Sequence, residues 1–193
     1  MRYSIDETTS GLSTADIVST ADLKAHLRVT HSDEDALIES LRDVAVNYVE
    51  NMTNARLGDR ASVIYYDALY SSFEVPVGPM TNDTHTLEYA TGASTYTALT
   101  EGTHYYIDFN RTPARVTMIS TPTAFTYAHS KMKLSCTIGY AEADVPAALV
   151  HAIKLLVSHM YELRQPEITG TISTKLKLGL EALLNPYRII SFR

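Results

Sequence analysis

The stretch 132–164, MKLSCTIGYAEADVPAALVHAIKLLVSHMYELR, contains the change of period that decides the fold class. Through 132–138 the apolar side chains alternate: Met132, Leu134, Cys136 and Ile138 point one way, and Lys133, Ser135 and Thr137 the other, as in a half-buried strand. After Gly139 the period changes. Asp144, Val145 and Pro146 form a helix start with aspartate as cap and proline near the first turn, where its missing N–H is harmless. The spacing predicts a helix to about Arg164, before Pro166. At 100° per residue, His151, Lys154, Ser158 and Glu162 make one narrow polar stripe, and the apolar residues cover about 240° of the remainder. So wide an arc calls for a central position or a contact with another subunit.

Upstream, the same logic gives a helical first third. Ser19 or Thr20 caps a short helix through Leu23 and Leu27, and Ser32 caps a longer one with Asp33, Glu34 and Asp35 in its first turn. In that longer helix Leu37, Ile38, Leu41, Val44, Ala45, Tyr48, Val49 and Met52 follow at spacings of three and four. Between the helices lie β-type runs at 62–69, 72–77, 84–90, 103–109, 114–120 and 131–140, broken by Gly78, Gly92, Gly102, Pro113 and Pro122. That middle holds nine of the thirteen tyrosines, a residue type suited to a pleated, half-buried surface.

The fold class that follows is α+β: a helical frame with a β-rich middle region inserted. The frame comprises an N-terminal helical pair, a long C-terminal helix and a short last helix. The expected divisions are 1–60 (N-terminal helical part), 61–141 (β-rich insert) and 142–193 (C-terminal helix and tail). Past Pro166, 167–174 reads as a loop, and Leu176–Leu184 as a short helix closed by Asn185 and Pro186. The end of the sequence, Tyr187 to Arg193, is rich in large apolar and cationic groups, which suggests docking on a partner.

Composition narrows the function. At 193 residues with 20% charged side chains, the chain can bury a core unaided. Its net charge of −6 has the wrong sign for wrapping nucleic acid by phosphate neutralisation. Cys136, the single cysteine, cannot form an internal disulfide, which fits a reducing compartment. No apolar run approaches a membrane span, so no membrane role is expected, and the first ten residues lack an export-signal profile.

Catalytic motifs are absent: there is no phosphate-binding glycine loop, nucleophile elbow, HExxH or CxxC. His31, Asp33, Glu34 and Asp35 read better as a solvated helix start than as a metal cluster, and no metal site, cofactor or catalytic residue is expected. Tyr65, Tyr66, Tyr105 and Tyr106 could stack bases or sugars, but without basic neighbours they read as sheet packing.

Three stretches together carry a resemblance: 20–52 (TADLKAHLRVTHSDEDALIESLRDVAVNYVENM), 132–164, and 180–188 (LEALLNPYR), with 103–116 (THYYIDFNRTPARV) placed before the last strand. They resemble the tailed-bacteriophage head-tail connector family, the adaptor or head-completion proteins. The resemblance implies a non-enzymatic virion component, assembled in the bacterial cytoplasm and located in the neck. It would form a dodecameric ring under the portal protein, extend the channel through which double-stranded DNA passes without sequence-specific binding, and support the stopper or tail-completion protein. Mapped by that resemblance, Leu183, Leu184, Pro186, Tyr187, Arg188, Ile189, Ile190, Phe192 and Arg193 are candidates for portal docking. The wide apolar arc nominates Val150, Val157 and Tyr161 for a subunit interface. The alternative is a module whose tyrosine- and threonine-rich sheet recognises carbohydrate or peptide.

Overall fold

In the computed structural model, which describes residues 2–8, 12–123, 129–163 and 174–190, strand β8 (Met132–Ile138) lies at the centre of a five-stranded antiparallel sheet. On one side it pairs with β2 (Arg60–Tyr66), and β2 pairs in turn with β1 (Tyr3–Glu7). Its other side meets β4 (Met80–Ala90), with a register shift between Met80 and His85, and β5 (Tyr96–Ala98) closes the order β1-β2-β8-β4-β5. A second sheet has the order β3-β7-β6, from β3 (Ser72–Glu74), β6 (Tyr105–Asp108) and β7 (Arg115–Met118).

Alternation decides which face of these strands is covered. Met132, Leu134, Cys136 and Ile138 of β8 are buried beside Ile64 and Tyr66 of β2, Leu87 of β4, and Phe73 and Val116 of the smaller sheet. On the opposite face of the large sheet, Lys133 is paired with Glu88 across β8 and β4 at 2.7 Å, and its ammonium lies 5.8 Å from the Tyr96 ring centre. The β8 core is therefore sealed by side chains two residues apart, each contributing about 1.5–3 kcal/mol by leaving water.

The chain divides into two compact units. One comprises Met1–Gly11, Asp59–Gly139 and Ile189–Arg193, and the other Leu12–Gly58 and Tyr140–Arg188. The frame read from the sequence begins at residue 1, whereas β1 pairs with β2 over Tyr3↔Tyr66 to Glu7↔Ser62 and so sits with the sheets. Its five residues alternate, but the partner that orders them lies more than fifty positions away.

The helical unit contains α1 (Thr14–Ile17), α2 (Thr20–Leu27), α3 (Asp35–Thr53), α4 (Ala147–Glu162) and α5 (Thr174–Leu184). Ser19 is the α2 cap: its hydroxyl accepts from the Asp22 N–H at 3.0 Å and donates to the Asp22 carboxylate at 2.8 Å. Two expected caps are corrected. Ser32 does not cap α3; Glu34 occupies that position without a side-chain cap bond, and the Asp35 N–H donates to the Ser32 carbonyl. Asp144 does not cap α4 either, since it closes a 3₁₀ turn at Glu142–Asp144 and Pro146 takes the cap position. In both cases a backbone turn supplies the first bonds that a side chain was expected to supply. Leu163 ends α4, one residue before the expected end at Arg164, which lies outside the described residues, as does most of the 167–174 loop.

The helical core is built from Leu23, Ile38, Ala45, Val46 and Val49 against Leu149, Ala152, Ile153, Leu156 and Val157, with Leu180 and Leu184 of α5. Buried Arg42 ties α1 and α2 to α3 through its guanidinium, donating at 3.1 Å to the Thr14 hydroxyl and at 3.1 Å to that of Thr20. Buried Glu50 accepts from the Leu57 N–H at 2.8 Å, satisfying a backbone donor as the chain leaves α3. The helix closes at Asn54, whose left-handed conformation (φ 55°) suits asparagine better than most residues.

Candidate assembly surfaces

Among the described residues, no group of three or more His, Cys, Asp or Glu side chains is placed to hold a metal ion. Within that same set, no helix is long and apolar enough to cross a membrane. Cys136 is buried in the sheet core, and desolvation pushes its thiol up to about 12, far from a thiolate nucleophile at neutral pH. The acidic start of α3 is structural: Asp35 pairs with Lys24 at 2.6 Å, and Glu34 accepts a hydrogen bond from the Tyr161 hydroxyl.

The four tyrosines do not converge on a common platform. Tyr66 and Tyr105 are buried in the sheet core, Tyr65 is half-buried on the other face of β2, and Tyr106 is 57% exposed. Adjacent strand residues point to opposite faces, so each YY pair is split between core and solvent.

The three residues nominated on α4 are placed differently from one another. Val157 is fully buried in the helical core, which corrects its assignment as a surface contact: it packs against its own chain. Val150 and Tyr161 are half-buried at the margin of that core, and the Tyr161 hydroxyl is engaged by Glu34. The wide arc of α4 is thus covered largely by α3, α2 and α5.

The segment nominated for portal docking is also divided. Leu184 is buried in the helical core, with Leu183 and Tyr187 packed half-buried at its edge. Ile189 is buried in the sheet-bearing unit, where its Cδ1 occupies the space a Cβ on Gly78 would need, 3.2 Å away. Both residues are therefore intramolecular anchors. Pro186 and Arg188 are exposed, and Ile190 is 61% exposed. Phe192 and Arg193 lie outside the described residues.

A surface that the sequence reading did not single out lies on α3. Val44, Tyr48 and Met52 are 54%, 39% and 37% exposed, while Ile38, Ala45, Val46 and Val49 on the other side are buried. Helical geometry places Leu37, Ser40, Leu41, Val44, Asn47, Tyr48, Asn51 and Met52 within about 140° of arc and about 22 Å of axial length. None of the eight carries a formal charge. Asp35, Glu39, Arg42, Asp43 and Glu50, all the charged residues of this helix, fall outside that arc. The sequence shows the apolar stripe of α3 but not which part of it the other helices leave uncovered.

Comparison with known proteins agrees with the resemblance read in the sequence. Residues 18–90, from α2 through β4, match the family described as phage gp6-like head-tail connector protein. The match takes in the whole of the 20–52 stretch, while 132–164 and 180–188 lie beyond it. No curated protein sequence matches the chain. Over 98% of its length it superposes on a chain of the neck of an empty gene transfer agent (GTA) particle computed with C6 symmetry, covering 97% of that chain with a TM-score of 0.74 and 21% identity. A chain from the virion of the native GTA particle gives a TM-score of 0.74 at 20% identity, with the same 98% and 97% coverage. One from the neck of the native particle computed with C12 symmetry gives 0.71 at 20%, again with 98% and 97% coverage. At about one-fifth identity, what is shared with these chains is the fold across both units.

Proposed function

We propose that this chain is a structural head-tail connector of a phage-like particle, located in the virion neck. It forms a ring of copies beneath the portal, extends the channel for double-stranded DNA, and offers a platform to the stopper or tail-completion protein. A dodecamer follows from the family and accords with the C12 symmetry of one similar neck. The observation that carries the reading is the full-length likeness, over 98% of the chain, to neck proteins, joined to the connector-family match at residues 18–90.

Physical properties of the chain support it. A duplex that must slide through a channel is not held by a protein of net charge −6. In the portal-docking role, Pro186, Arg188 and Ile190 make the contact, together with Phe192 and Arg193. Leu184 and Ile189 hold that segment to its own chain on either side. Val150 and Tyr161 contribute to subunit packing through their exposed edges.

Electron microscopy of particles assembled with this chain tests the reading directly. A ring of its copies at the portal vertex is the expected result, and a vertex without the chain would refute it. For the docking segment, Arg188→Glu with Ile190→Asp should leave the melting temperature within a few degrees of wild type and abolish association with portal-bearing heads. Undiminished association would remove this segment from the portal contact.

A further inference from the structure

We propose that the uncharged arc of α3, centred on Val44, Tyr48 and Met52, is the seam through which one copy of this chain packs against the next. The inference rests on the ring reading above and adds to it the surface that makes the ring. Its starting point is the disposition of charge. Each copy carries a net charge of −6, and the first sixty residues hold eleven acidic side chains against six basic ones. Two such copies repel at separations within the Debye length, about 8–10 Å at ordinary salt. A tight contact between them therefore needs a face where approach buries no unpaired charge.

The α3 arc meets that need. Its eight neutral residues run along about four turns, with the exposed apolar side chains Val44, Tyr48 and Met52 stacked at four-residue intervals. Ser40, Asn47 and Asn51 border them on one side, so that margin is polar and uncharged, and on the other side Leu41 leads into the helical core. An apolar strip with a polar rim along one side is the composition of an interface core and its margin. A tyrosine at the centre suits the anchor position, where a large ring loses little side-chain entropy on docking.

The alternative on α4 is weaker on the same grounds, because Val157 is buried in the chain's own core and Tyr161 is bonded to Glu34. Copies related by rotation in a ring of more than two meet through unlike faces, so the α3 arc of one copy meets a different surface of the next. Every copy then has one α3 arc covered and covers one in turn.

The test compares particles carrying the full wild-type chain with particles carrying Val44→Glu/Tyr48→Glu, counting copies per particle by quantitative mass spectrometry and melting each purified chain. We expect a melting temperature within about 3 °C of wild type and at least a tenfold loss of copies. Wild-type copy number in the variant particles overturns the α3 seam and leaves the connector reading standing. A wild-type chain absent from the particles refutes the connector reading, and the seam falls with it. Should the double charge unfold the chain, Tyr48→Cys labelled with a benzophenone maleimide decides instead, since Cys136 is buried. Cross-linking to a second copy within assembled particles supports the seam, and adducts only to other proteins overturn it.

Discussion

Helices α3 and α4 are comparable in length, both amphipathic, and packed on each other, yet they use their apolar residues in opposite ways. The longer apolar arc belongs to α4, and its neighbours cover most of it: Leu149, Ala152, Ile153, Leu156 and Val157 are buried among α2, α3 and α5, with Val150, Leu155, Met160 and Tyr161 half-buried at the margin. The arc of α3 is less apolar overall but turns Val44, Tyr48 and Met52 outward. Total hydrophobicity is therefore a poor guide to which helix seeks a partner. What matters is how much of its circumference the neighbours cover: α2, α3 and α5 enclose most of α4, whereas α1, α2, α4 and α5 all pack on α3 and still leave its outer arc open.

Four substitutions can break or sharpen that contrast. The largest effect is expected at Val157→Asp, which buries a carboxylate with no partner and should cost more than about 4 kcal/mol, enough to abolish a cooperative melt. A stable variant defective only in assembly would return Val157 to the surface. Next, Ile153→Ala leaves a cavity between α4 and its neighbours and should lower the urea-unfolding free energy by about 2–5 kcal/mol. On the buried side of α3, Glu50→Ala strands the Leu57 N–H and should cost about 1–3 kcal/mol in the same assay. Smallest of all, Val44→Ser on the outer face of α3 should stay within about 0.5 kcal/mol of wild type. A loss approaching that of Ile153→Ala would mean that α3 has no free face.

The sequence made the main elements legible where the pattern is local. The 37–52 periodicity gives α3, the Met132–Ile138 alternation gives β8, and Ser19 gives the start of α2. The connector resemblance was legible in the same way, from runs of ordinary residues in a particular order. What escaped depended on distant partners. Strand β1 is ordered by β2, and Ser32 lost its capping role to a backbone turn. Among site residues, Val157, Leu184 and Ile189 look from the sequence like surplus apolar groups. Only the placement of Leu23, Ile38 and Gly78 around them reveals where they are absorbed. The α3 arc was missed for the complementary reason: an apolar period predicts a buried face, and only the positions of the other helices decide how much of it is covered.

The path of the chain through its two units has a consequence for synthesis. Each unit is assembled from separate lengths of polypeptide: Leu12–Gly58 must wait for Tyr140–Arg188, and β1 and β2 must wait for β8. A ribosome adding about 5–20 residues per second therefore exposes half-finished cores for several seconds before either can close. Contacts so far apart in sequence also slow the closing step itself. During that interval the nascent chain presents its greasiest segments to the cell, so production of this protein should depend on chaperones more than its modest size would suggest.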